Sequence, residues 1–199
     1  MIEDGDKIAV GVSGGKDSLT LLALLKAYQR FSPHKFDLIG VTIDIGLKEN
    51  AYLPVSEYCE QLEIPYIVEK TEIGKIVFDE RKEKNPCSLC SKMRRGALNN
   101  KLNELGYNKL ALGHHRDDVV ETFLLSLIHE GRLSTFAPIS YMSRSKITLI
   151  RPMIYIEERD IIPFASTLPV VVNTCPANKH TEREAMKDLL KDLRHNYHD

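Results

Sequence analysis

KIAVGVSGGKDS, residues 7–18, is a short apolar strand that runs straight into two glycines, a lysine, an acid and two hydroxyl side chains. Leu19, Leu22 and Leu25 then recur at helical spacing, with Leu21 and Leu24 widening the stripe, so the stretch predicts strand, glycine turn, helix. Its chemistry is anion binding. Gly14 and Gly15 let the backbone turn sharply and point N–H groups at phosphate oxygens. The helix that follows presents its positive end to the same place. Lys16 adds a full charge, Asp17 stands beside it, and Ser13 and Ser18 can donate hydroxyl hydrogen bonds. The loop is not GxxxxGK[ST], because Val10 stands where the first glycine belongs and Asp17 follows the lysine. The chain also lacks any Gly-x-Gly, which excludes the dinucleotide pattern GxGxxG.

Outward from that loop, apolar runs at 37–44, 65–69, 109–113 and 146–151 predict four further strands. Helical patterns fall at 52–62, 90–105 (closed by Gly106), 118–129, 156–167 and 181–195. The expectation is an α/β fold: three layers, with a mainly parallel five-stranded sheet and helices on both faces. One domain would cover residues 1–199, with a CxxC segment at 85–96 and a helical C-terminal part at 156–199. Ligands of such sheets sit outside the carboxyl ends of the strands. Loops 13–18 and 113–118 both follow strands, so they should meet over one edge.

The 199 residues carry a formal net charge of −1, with 43% hydrophobic and 28% charged residues. That is the composition of an ordinary globular domain, without the overall basic field of a dedicated nucleic-acid binder. No apolar run approaches the roughly 20 residues that span a bilayer. The start, MIEDGDKIAV, is acidic and unlike a signal peptide, so the expected partners exclude a membrane and the expected compartment is the cytoplasm. Positive charge is concentrated locally. Lys75, Arg81, Lys82, Lys84, Lys92, Arg94, Arg95 and Lys101 outnumber Asp79, Glu80 and Glu83, a footprint suited to an RNA backbone.

Two more clusters carry chemistry. Residues 112–118 read LGHHRDD. Two histidines and two aspartates could form a metal site, which would make the chain a metallohydrolase, but no other His/Asp cluster supplies further ligands. Asp44 closes the second strand near the same edge. The four cysteines are Cys59, Cys87, Cys90 and Cys175. Cys59 lies on an amphipathic stretch with Val55, Tyr58 and Leu62 and reads as a small buried hydrophobe. Cys87 and Cys90, in NPCSLCSKMRRG (85–96), and Cys175, in NTCPAN (173–178), remain. They suit either part of a zinc site or a [4Fe–4S] cluster with one iron left open.

Taken together, SGGKDS, PCSLCSKMRRG, LGHHRDD, Arg151–Pro152 and the late Cys175–Pro176 resemble the TtcA/TtuA tRNA thiolation family, closest to its TtcA-like branch, within the PP-loop ATP-pyrophosphatase superfamily. The resemblance spans about residues 5–190. It departs from that family's pattern in starting its first strand at Lys7, in a short C-terminal end, in lacking the zinc-finger cysteines of the TtuA branch, and in Asn178, which rules out a second CxxC. The resemblance implies that Ser13, Gly14, Gly15, Lys16, Asp17, Ser18, Asp44, Gly113 and His114 bind ATP. It assigns catalysis to Lys16, Asp17, Asp117 and Asp118, with Mg²⁺ held by Asp117 or Asp118, and a [4Fe–4S] cluster to Cys87, Cys90 and Cys175. The implied reaction adenylates a tRNA base of the 2-thiocytidine type and replaces AMP with sulfur from a donor, a cysteine desulfurase or sulfide. The implied assembly is a homodimer. On the residues alone, a PP-loop enzyme with a non-tRNA substrate and a nucleotide-binding module with structural zinc stay open beside it.

Overall fold

The first two strands are buried on both faces, as strands of a parallel sheet covered by helices must be. In the computed structural model, which describes residues 1–81, 86–172, 175–176 and 182–197, they form the middle of a six-stranded sheet. β1 (Asp6–Gly11) pairs in parallel with β2 (Phe36–Asp44) on one side and β4 (Lys109–Ala111) on the other. β3 (Tyr66–Lys70) lies outside β2, and β6 (Ile147–Ile150) lies outside β4, both parallel. β5 (Ile139–Met142) closes the far edge antiparallel to β6, giving the order β3-β2-β1-β4-β6-β5. The mainly parallel α/β architecture is as expected. The edge strand is an addition, because ISYM is only four residues long with a half-exposed, weakly alternating pattern.

Two cores sandwich the sheet. On one face Ile8, Val10 and Val12 meet Leu19, Leu21, Leu22 and Leu25 of α1 (Lys16–Tyr28), Val55 and Cys59 of α2 (Leu53–Gln61), and Ile161 of α5 (Glu158–Ala165). On the other, Ala9, Ile39, Val41 and Leu110 meet Leu102, Leu98 and Leu105 of α3 (Pro86–Leu105). Each fully buried leucine contributes about 1.5–3 kcal/mol. Cys59 is wholly buried and its thiol is pushed up to about 12 by burial, so it packs as a hydrophobe. α4 (Arg116–Glu130) and α6 (Glu182–Asn196) pack on each other at the end of the sheet that carries the loops.

α3 starts four residues earlier than its apolar pattern suggests, with Pro86 in the first turn, where a missing N–H costs nothing. Cys87 and Cys90 therefore lie inside the helix. A π-helical segment, Lys75–Glu80, packs Val77 against Cys90. Lys82, Glu83, Lys84, Asn85, Asn173, Thr174, Asn178 and Thr181, named in the sequence reading, lie outside the described residues.

Candidate active site

The strand order reverses between β1 and β4, so the loops that leave these two neighbours face each other. After β1, Gly14 takes φ +82, and a Cβ there would stand 2.9 Å from Val171. Val171 donates its N–H to Gly14 O at 2.9 Å, so the backbone at Val171 lies against the glycine loop. Gly15 is the N-cap of α1, with no side-chain cap. The first-turn N–H groups therefore face the loop side, as an anion site requires. Ser18 Oγ accepts the Ser13 N–H and donates to Gly15 O, which fixes the turn from within. Lys16 Nζ pairs with Asp17 Oδ1 and Glu158 Oε1, both at 2.8 Å. Burial alone would lower the Lys16 ammonium, but those two carboxylates hold it above its ordinary range. Burial likewise would raise Glu158, and Lys16 and Lys187 hold it below.

After β4, Gly113 lies on the start of α1. A Cβ on Gly113 would meet Asp17 C and O at 2.8 Å and Ser18 N at 3.0 Å, all backbone. His115 is the buried N-cap of α4, and its ring stands among three carboxylates: Asp118 at 3.5 Å, Asp117 at 3.7 Å and Asp17 at 3.8 Å. The two aspartates split their tasks. Asp117 Oδ2 accepts the Glu158 N–H at 2.7 Å and so caps α5. Asp118 Oδ2 accepts the His115 N–H at 3.0 Å, while its Oδ1 pairs with Arg183 of α6 at 3.0 Å. His114 packs on Phe136 and accepts from Arg151 Nε. Burial first, then Arg151 and Arg183, lower its imidazole to about 4 against the opposing pull of Asp118, so it is neutral near pH 7.

Two cavities open at this edge. The larger, about 670 Å³, is lined by Ser13, Asp17, Ser18, Gly113, His114 and Asp118, with Arg94, Arg95 and Arg151 opposite. Asp118 lines it; Asp117 does not. The smaller, about 370 Å³, takes in Ser13, Gly15 and Asp44, and with them Cys87, Cys90 and Cys175. Asp44 Oδ1 accepts the Gly46 N–H and so shapes the turn beyond β2. The cavities share Ser13, Ser91 and Arg94. Burial pushes the Cys90 thiol up, and the neighbouring Cys175 and Cys87 add to it against Arg94.

Among the described residues no three His, Cys, Asp or Glu side chains converge to hold a single metal ion. The metallohydrolase reading of LGHHRDD fails on that geometry: His114 faces Arg151 and Phe136, and His115 holds its aspartates by their edges. Cys87, Cys90 and Cys175 line one cavity beside the glycine loop, and a three-thiol donor set fits a [4Fe–4S] cluster with one iron left open. Magnesium needs less from the protein, one or two carboxylates with phosphate oxygens, and Asp17 and Asp118 on the larger cavity fit that demand.

Sequence reasoning missed Glu158, Arg183 and Lys187. Lys187 stands 3.5 Å from Glu158 and 3.8 Å from the buried Glu121. No local pattern marks these residues, because their partners lie on other elements. The basic stretch is also thinner than its composition: Lys101 is tied to Glu69 and Glu104, whereas Arg94 and Arg95 face the larger cavity.

Residues 3–187 match the PP-loop domain family, ATP_bind_3. The tRNA-cytidine(32) 2-sulfurtransferases of Geobacter metallireducens and Geobacter sulfurreducens are each 42% identical over 198 residues, covering 97% of this chain and 77% of theirs. The enzyme of that name from Acinetobacter baumannii strain ATCC 17978 is 40% identical over 204 residues, 99% of this chain and 67% of its own. Among solved structures, the U34-tRNA thiolase NcsA from Methanococcus maripaludis, with its [4Fe–4S] cluster, superposes with TM-score 0.77 at 27% identity, over 98% of this chain and 68% of that one. The NH3-dependent NAD synthetase of Campylobacter jejuni, at 14% identity and TM-score 0.53 over 96% of this chain and 78% of that one, shares the fold.

Proposed function

The chain belongs to the PP-loop domain family, and from that premise we propose that it is an ATP-dependent tRNA sulfurtransferase that adenylates a cytidine base and exchanges the adenylate for sulfur. One observation carries the reading: the cavity ringed by Cys87, Cys90 and Cys175 shares a wall with the cavity between the two loops. A phosphate site and a thiolate site are thereby side by side, as a two-stage reaction on one base requires.

The glycine-loop N–H groups, Ser13, Ser18 and Lys16 hold the departing pyrophosphate. Lys16 leaves Asp17 and Glu158 for the phosphates, exchanging one pair of anions for another. The C2 carbonyl oxygen of the base attacks the α-phosphorus and pyrophosphate leaves, so these residues act by positioning and by stabilising charge. Gly113 and His114 wall the nucleotide, Asp44 borders the adjoining cavity, and Asp17 and Asp118 would hold Mg²⁺, which neutralises phosphate charge when bound. Asp117 acts at one remove, by fixing α5 and with it Glu158. Cys87, Cys90 and Cys175 would hold the [4Fe–4S] cluster, which when bound supplies an iron position for sulfur. Sulfur then replaces AMP at C2. The donor is a cysteine desulfurase or sulfide, and the enzyme works as a homodimer, as the family resemblance implies; its compartment is the cytoplasm, as its composition and acidic start suggest. Among the described residues no helix is long and apolar enough to cross a membrane.

Mass analysis of tRNA nucleosides from cells without this gene should show 2-thiocytidine lost and restored by the cloned gene. Unchanged thionucleosides would overturn the assignment.

A further inference from the structure

Arg151 is 7% exposed, yet among the described residues no carboxylate pairs with it. Its contacts are all neutral. Nη1 donates to Ala137 O, Nε donates to His114 Nδ1 at 3.2 Å, and Cζ lies 4.6 Å from the centre of the Phe136 ring. His114 accepts in that bond, so its ring adds no compensating charge. A buried charge without a counter-charge is costly and is kept where a ligand supplies the missing sign. Burial, and Arg95 nearby, lower the Arg151 guanidinium from its ordinary value, in keeping with that cost.

The surroundings sharpen the point. Arg151, Arg94 and Arg95 line one cavity. The two acids on that cavity, Asp17 and Asp118, pair with Lys16 and Arg183. Among the described residues neither forms an ion pair with Arg94, Arg95 or Arg151, so three guanidinium groups face the cavity without a paired carboxylate. Phe136 and His114 fix the plane of Arg151, and a fixed planar fork suits bidentate binding of a phosphate group.

We propose that Arg151, with Arg95 beside it, forms a phosphate-ester subsite of the larger cavity, distinct from the glycine loop and directed at the substrate end of the reaction. The proposal rests on the function above. The ester is either the α-phosphate of the nucleotide or the phosphodiester next to the target base, and binding measurements separate the two.

The experiment uses the full chain and three variants: Arg151→Gln, Arg151→Lys and Arg95→Gln. One arm measures binding of α,β-methylene ATP without RNA, the other binding of tRNA without nucleotide at several salt concentrations, and thermal melts accompany both. Arg151→Gln should weaken one arm by about tenfold or more, with Arg151→Lys restoring only part of it. A loss confined to the nucleotide arm identifies the α-phosphate. A loss confined to the RNA arm, with a salt slope reduced by about one, identifies the phosphodiester. A folded Arg151→Gln chain with both affinities within twofold of the parent overturns the proposal, as does an equal loss in both arms with a lowered melting temperature. Should Arg151→Gln not fold, the solvent-facing Arg95→Gln decides: a loss of about threefold or more in one arm upholds the subsite, and no change in either overturns it. A parent chain that binds neither ATP nor tRNA would sink the proposed function itself, a result separate from any of these.

Discussion

Gly113 is the point where the two loops touch, and Gly113→Ala tests whether that contact matters. The added Cβ would lie 2.8 Å from the carbonyl carbon and oxygen of Asp17 and 3.0 Å from Ser18 N. Ordinary carbon contacts begin at about 3.5 Å, so the loops would have to part by roughly 0.7 Å. The obstacle is backbone at the first turn of α1, and no side chain can rotate out of the way. Overpacking of this kind costs about 1–3 kcal/mol, which lowers the melting temperature of a chain this size by roughly 2–10 °C. The larger effect should be catalytic. Asp17 and Ser18 belong to the phosphate loop, and a displacement near 1 Å in a reacting geometry costs on the order of 100-fold. Pyrophosphate release with ATP and tRNA should therefore fall by roughly 10- to 100-fold while the chain still folds. A variant that melts with the parent and releases pyrophosphate at the parental rate would show that this close approach carries no function.

Lys16→Met removes the loop's charge from a side chain that is 29% exposed. Stability should stay within about 1 kcal/mol, because such pairs contribute little, whereas pyrophosphate release should drop by about 100-fold or more; a surviving rate would refute the phosphate role. Cys87→Ser, Cys90→Ser and Cys175→Ser should each reduce iron content and the visible absorbance of anaerobically purified protein. Cys59→Ala should keep both and lose roughly 0.5–3 kcal/mol of stability, and equal iron loss from all four would break the distinction. Asp6→Asn strips the buried Lys109 of a partner 2.7 Å away and should cost roughly 3 kcal/mol near neutral pH. Burial alone would raise the Asp6 carboxyl, but Lys109, the Glu3 N–H and Asn108 hold it below 3.8. Its contribution is therefore present above that value and lost as pH falls through the folded one. Urea midpoints of parent and variant should converge as the solution is taken well below pH 3.8, and a constant gap would contradict the linkage.

What the sequence discloses here is what is local. β1, the glycine loop and α1 are one continuous run whose pattern, turn residues and charge agree, so both element and ligand class can be read from it. Gly113 and His114 are legible for a similar reason, since they follow a strand end. Asp117 and Asp118 are not separable that way. Adjacent helical residues point about 100° apart, so only one can face the cavity, and which one depends on how α4 is turned. Packing on α5 turns Asp117 to the Glu158 N–H and leaves Asp118 on the cavity. The cations of α6 lie further from view, with Arg183 reaching an aspartate 65 positions earlier. Lys101 shows the opposite failure: it counts toward a basic run, and the fold spends it on Glu69.

The cysteine positions follow from the same packing that places the phosphate loop. Cys87, Ser91, Arg94, Leu98, Leu102 and Leu105 recur at steps of three and four along α3 and so share one face. Leu98, Leu102 and Leu105 of that face pack against Ala9 of β1 and Leu110 of β4, the strands from which both loops depart. Arg94 and Ser91, one and two turns earlier, stand in the wall between the cavities. The helix thus sets the distance from strand ends to Cys87 and Cys90, with Cys90 further held by Val77. Cys175 lines the same cavity together with Val171, whose N–H bonds to Gly14 O of the loop. Cys87 and Cys90 are thus referenced to the strands beneath the phosphate loop, and the cavity they share with Cys175 is bounded by a residue bonded to the loop itself. A change that shifts the loop against these strands therefore alters the shape of the cysteine-lined cavity, which is the coupling that activation and sulfur transfer on one base would need.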